Sequence, residues 1–228
     1  RAFGALVTFL EDRGLLDARV RQQLENGLEY WALERRLCSA PEMATIHEAQ
    51  MALRLKSFDY RVLHLVLYKL RGVPYDEPVL AFMREAELLV EIEDDLKDYH
   101  KDVVKNSFNI YRTYVRVHGE RAPDEMAAFI ANVESSYLAQ RRDALDADRL
   151  AQHIERNEEQ RSAGPAMAPA SGKWEFPVPA LDEERLRQLS RACGGTLPVL
   201  FVPQTLHQGA LPGALAQIGA SNPSCQDL

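Results

Sequence analysis

Apolar positions recur at helical spacing along the first 161 residues, and nowhere does the chain alternate with period two. Residues 2–12, AFGALVTFLED, make a short apolar-faced helix closed near Gly14. Asp17 suits an N-cap for a second helix to Cys38, with Val20, Leu24, Leu28, Trp31 and Leu37 approximating its apolar face. Ser39-Ala40-Pro41-Glu42 has the form of a capping box with Pro in the first turn. It predicts one long helix to Leu70, stopped by Gly72-Val73-Pro74. Met51, Leu55, Phe58, Val62 and Leu65 keep helical spacing through it. The next helix spans about Glu77 to Val104, with Leu89, Ile92, Leu96, Tyr99 and Val103 as its apolar stripe. Asn106 and Ser107 mark a turn, and a further helix carries Phe108, Tyr111, Tyr114 and Val115 to Gly119. Arg121-Ala122-Pro123-Asp124 opens a last long helix to about Arg161, apolar at Met126, Phe129, Ile130, Val133, Tyr137 and Leu138.

This pattern predicts an all-α antiparallel helical bundle over residues 1–161. Residues 162–181 are rich in Pro, Ala and Gly and read as a linker, from which Trp174 and Phe176 are expected to dock back onto the bundle. Residues 182–228 predict a short helix from Asp182 to Ala192 and then an irregular or disordered tail, rich in turn residues and poor in charge.

The formal charge of −7 turns the reading away from nucleic acid as a partner, because phosphate backbones need a basic surface. The sequence offers no 18-residue apolar run for a membrane span. Its three cysteines, Cys38, Cys193 and Cys225, are widely spaced and odd in number. They argue against a disulfide framework and for a reducing compartment such as cytoplasm or plastid stroma. No HExxH, GxSxG, P-loop or GxGxxG pattern occurs. Because the chain opens on Arg1 and not Met, a fragment or processed form is expected.

The chemistry-bearing stretch is Glu87 to Arg112. On a helix, Asp94, Asp98 and Asp102 recur every fourth position and line one stripe, well over a quarter turn from the apolar one. Like charges at that spacing repel unless a cation or partner offsets them, and a hard divalent ion does so with carboxylate and phosphate oxygens. The bland alternative is a solvated acidic face neutralised by Lys97, Lys101 and Lys105.

Asp94-Asp95-Leu96-Lys97-Asp98-Tyr99-His100-Lys101-Asp102, followed by Asn106 to Asn109, resembles the second metal-binding motif of class I terpene synthases. The resemblance covers about 20 residues and implies an isoprenoid-synthase-like bundle. It further implies Mg²⁺ (or Mn²⁺) on Asp94, Asp98 and Asp102, gripping a prenyl diphosphate whose leaving group the metal neutralises. Arg54, Arg61, Asn109 and Arg112 are then candidates for the diphosphate, with Glu91, Asp95 and Lys101 in support around the metal. Two family features are missing: no DDxxD precedes residue 94, and Lys173-Trp174 stands where many members carry an Arg-Tyr pair. The expectation is therefore that the first aspartate-rich motif lay upstream of Arg1, or that the fold persists without turnover. The competing class is a non-catalytic helical scaffold or complex subunit, and a homodimer or larger assembly is a candidate state of the chain.

Overall fold

The computed structural model describes residues 2–146, Arg149 and residues 174–194. These are all-α: α1 (Gly4–Asp12), α2 (Ala18–Ser39), α3 (Ile46–Lys56), α4 (Phe58–Leu70), α5 (Glu77–Lys105), α6 (Ile110–His118), α7 (Ala122–Ala144) and α8 (Glu183–Ala192). Single 3₁₀ turns, Pro41–Met43 and Gly119–Arg121, lead into α3 and α7. The helix α5 is the central member, touching α3, α6, α7 and α8, while α2 packs on α3 and α4.

The reason α5 takes the centre lies in its stripe. Leu89, Ile92, Leu96, Tyr99 and Val103 are all essentially inaccessible, as the periodicity predicts. At about 1.5–3 kcal/mol for each large apolar side chain taken out of water, this one face supplies a large share of the core's driving force. A second, smaller core joins Leu10 of α1, Val20 and Leu24 of α2, Val62 and Leu65 of α4, and Leu80 of α5. The Asp17 carboxylate caps α2 as predicted, accepting from Arg19 and Val20 backbone N–H groups at 3.0 and 2.9 Å.

Three element boundaries depart from expectation. The capping box is Thr45 with Glu48, not Ser39 with Glu42. The Thr45 hydroxyl accepts from the Glu48 N–H at 3.2 Å, and the Glu48 carboxylate accepts from the Thr45 N–H at 3.1 Å. The long helix to Leu70 is broken at Ser57, where Phe58 turns its ring onto Gly27 of α2, whose missing side chain makes the room. Arg61 donates at 3.1 Å to the Leu55 carbonyl, which also accepts from the Ser57 N–H that closes α3. Finally, α7 ends at Ala144, where Leu145 adopts extended backbone. The expected continuation toward Arg161 falls mostly outside the described residues.

The α2 face also turns a little from its expected position: Leu28 and Trp31 are at the surface, while Gly27, Tyr30 and Leu33 point inward. Trp174 and Phe176 do dock on the bundle. The Trp174 indole donates to Glu134 at 2.9 Å, and Phe176 is buried against Tyr111. The tail beyond residue 194 lies outside the described residues.

Candidate functional site

On α5 the position of Asp95, three residues after Ile92 and four before Tyr99, sets it inside the apolar stripe. It is 1% exposed. Such burial demands partners. Asp95 Oδ1 accepts from Lys56 Nζ at 2.8 Å, and Oδ2 accepts from the Ile110 backbone N–H at the start of α6, at 2.7 Å. One turn earlier, Glu91 takes the same ammonium at 2.7 Å and accepts from the Ser57 hydroxyl. Lys56 thus sits between two carboxylates at the α3–α4 corner. Burial alone would depress its pKa, but attraction to Asp95 and Glu91 overrides this and raises it. Burial pushes the Asp95 carboxyl the other way from a free aspartate, up to about 6, against the pull of Lys56 and the Ile110 N–H.

Asn109 ties the end of α5 to the start of α6. Its side-chain amide donates to the Asp95 carbonyl and to Asp102 Oδ2, the latter at 3.0 Å, and its Oδ1 caps α6 by accepting from the Arg112 N–H at 3.3 Å. The half-buried Asp102 carboxyl is raised by burial, with the Asn109 hydrogen bond opposing the shift.

The three aspartates of the predicted stripe therefore have three different surroundings. Asp94 is exposed, Asp98 pairs with Lys101 at the surface, and Asp102 leans on Asn109. Among the described residues, the acidic oxygens that come together are those of Glu91, Asp94 and Asp95, within 4.8 Å of one another. Of the expected ligand set only Asp94 belongs to that group, and Glu91 and Asp95, expected to stand behind the ligands, form the rest of it. This acidic cluster could hold a hard cation, with Lys56 as the resident competitor for two of its members.

The candidate arginines also separate. Arg54 is exposed and lies 4.0 Å from Glu85. Arg61 is fully engaged, donating to Gln23 at 2.8 Å, to Glu87 at 3.0 Å and to the Leu55 carbonyl. Both line a cleft of about 280 Å³ between α2, the α3–α4 corner and α5, with Arg84, Asn26, Ser57 and Glu85 also on its walls. Leu53 and Leu88 are its apolar lining. Ser57 connects the cleft to the acidic cluster through its bond to Glu91. Arg112 lies elsewhere: it grips Glu183 of α8 with Nε and Nη2 at 2.7 Å each, and donates to Ser107 O and to Asn106 Oδ1.

Glu183 is the chief anchor of the returning segment 174–194. Arg116 and Arg187 reach the same carboxylate at 3.4 and 2.8 Å, and these guanidinium groups hold its pKa down against burial. Upstream of it, the Ala180 N–H donates to the Tyr99 hydroxyl, the Tyr111 hydroxyl donates to the Pro177 carbonyl, and His100 Nε2 meets the Val178 carbonyl at 3.1 Å. Sequence reasoning missed Lys56 and Glu183. Lys56 carried no signal, being one cation within what reads as a continuous helix to Leu70, and Glu183 depends on a chain return that no local pattern specifies. The depth of Asp95 could have been read from its place between Ile92 and Tyr99. Cys38 is a half-buried free thiol.

No protein-family model, curated protein or solved structure matches this chain. Among the described residues, no helix is long and apolar enough to cross a membrane.

Proposed function

We propose that this chain binds the diphosphate head of an organic ester, in a Mg²⁺-dependent way, at the junction of the acidic cluster and the arginine-lined cleft. One observation carries the reading: the oxygens of Glu91, Asp94 and Asp95 lie within 4.8 Å of one another, and Ser57 joins them to walls bearing Arg54, Arg61 and Arg84. The donor set is all oxygen, which suits a hard cation, and Asp94 with the solvent side of Glu91 would hold it. Mg²⁺ or Mn²⁺ would there neutralise developing charge on a leaving diphosphate. This chain's part is to orient the head: Arg54 and Arg84 are exposed at the cleft and would turn toward phosphate oxygens in a bidentate way, while Arg61 fixes the wall. In this reading the ester is a prenyl diphosphate, as the terpene synthase resemblance implies, and Asp98 and Asp102 stand further along the same helix. The cleft lining suits the polar head only.

The test is thermal shift with Mg²⁺ and pyrophosphate together. The parent should gain several degrees and Asp94→Asn little. Incubation with geranyl, farnesyl and geranylgeranyl diphosphate plus Mg²⁺ then asks for turnover. No shift in the parent would overturn the binding reading; a shift without turnover would leave binding and remove the enzyme.

A second reading, a non-catalytic helical scaffold, is favoured by Lys56. An ammonium already placed between Glu91 and Asp95 makes that pair part of the fold's framework. It is the reading that stands if neither ligand moves the melting temperature.

A further inference from the structure

Along α4, Tyr60, Leu63, Leu67 and Leu70 are each between 53% and 66% exposed. Successive members are three, four and three residues apart, so at 100° per residue they fall within one 80° stripe pointing away from the buried Val62 and Leu65. A solvated helix that turns its inner face to the core ordinarily carries charge on the outer one. Here the outer stripe is apolar, and the exposed charges Asp59 and Arg71 stand at its two ends and flanks.

We propose that this stripe is a self-association surface and that its occupant is a second copy of this chain, with the two α4 helices antiparallel about a two-fold axis. The spacing itself is the argument for a copy. Three-four-three reads the same in both directions, so a two-fold through the level of Leu65 sets Tyr60 against Leu70 of the second copy and Leu63 against Leu67 of the second copy. The match is isologous and closes on itself. The same operation brings the Arg71 guanidinium to the flank of Tyr60 on the second copy, where a cation–π contact replaces water on both. At roughly 100–150 Å² of exposed surface per side chain, the stripe offers about 500 Å² per copy and about 1,000 Å² in all. That is the lower end of what a specific interface buries, so a weak, reversible dimer is expected. A parallel pairing would set Tyr60 against itself and leave Arg71 beside Leu70, with no partner for its charge.

The experiment is sedimentation equilibrium of the whole chain over roughly a hundredfold range of concentration, where a dimer gains with mass action. The parent should pass from monomer toward dimer, and the double variant Leu63→Glu with Leu67→Glu should associate at least tenfold more weakly while keeping the parent's circular dichroism. Orientation is read by mixing Tyr60→Cys and Leu70→Cys proteins under mild oxidation. The mixture should form a disulfide-linked heterodimer, while each variant alone, and the parent with its native cysteines, should not. A parent that is monomeric throughout, or a double variant that dimerises like the parent, would overturn the proposal. So would ready self-linkage of Tyr60→Cys, which belongs to parallel pairing. If the monomeric parent instead bound an added amphipathic helical peptide, the stripe would be a site for a foreign helix and the second copy would be wrong.

Discussion

Replacing Lys56 with Met removes one charge and little volume from the place where α3, α4, α5 and α6 meet. Lys56 Nζ lies 2.7 Å from Glu91 and 2.8 Å from Asp95, and Asp95 is almost wholly out of water. Without the ammonium, the Asp95 carboxylate keeps the Ile110 N–H at 2.7 Å but loses the counter-charge that Lys56 sets against it. Breaking a buried pair from one side costs about 3–5 kcal/mol, since the remaining charge stays desolvated. For a chain of this size that corresponds to a fall in melting temperature of roughly 10 °C. The assay is urea denaturation and thermal melting at pH 7 of Lys56→Met, Asp95→Asn and the double variant. The double variant should be less destabilised than the sum of the singles, because neither then leaves a lone buried charge. The same variant also interrogates the cluster, since Glu91, Asp94 and Asp95 would then face one another with no cation among them. Added Mg²⁺ should therefore raise the melting temperature of Lys56→Met more than that of the parent. A loss under about 1 kcal/mol with additive singles would refute the idea that this ion network fastens the corner.

Three further outcomes follow from the geometry. Tyr75, the Val20 N–H and Lys69 overcome the burial penalty on Asp17 and hold its carboxyl down at about 2. A lowered folded-state pKa gives stability that is present above the unfolded value near 4 and lost as pH falls from there to about 2. With solvent screening of this partly exposed group, the stake is about 1–2 kcal/mol, and Asp17→Asn should flatten the pH dependence of stability in that window. Gly27→Ala should cost about 1–3 kcal/mol by urea melt, since the new Cβ would meet the Phe58 ring at 2.5 Å, where Phe3 and Trp31 crowd it. Glu183→Gln should loosen the returning segment, because Arg112, 4% exposed, then keeps its charge without a carboxylate. The readout is faster limited proteolysis around residues 174–194 and altered Trp174 fluorescence, and unchanged cleavage would contradict the anchor.

Helix identity and the buried face of α5 were written in the spacing of Leu89, Ile92, Leu96, Tyr99 and Val103, because each helix must hide a stripe that repeats with its own turn. The cap at Asp17 was equally local, needing only a side-chain oxygen two or three residues before a backbone N–H. The break at Ser57 was not legible, since it follows from a ring of α4 fitting a glycine of α2 thirty-one residues away. The candidate site divides along the same line. The acidic repeat on α5 was visible, but which acids converge was decided by Lys56, 39 residues upstream of Asp95, and by the N–H of Ile110, 15 residues after it. Likewise Arg112 found its carboxylate 71 residues further on. Side-chain direction on one helix is set by its period, whereas charge partners are set by which other helices arrive alongside. That arrival is a property of packing, summed over the whole core, and no single stretch of sequence contains it.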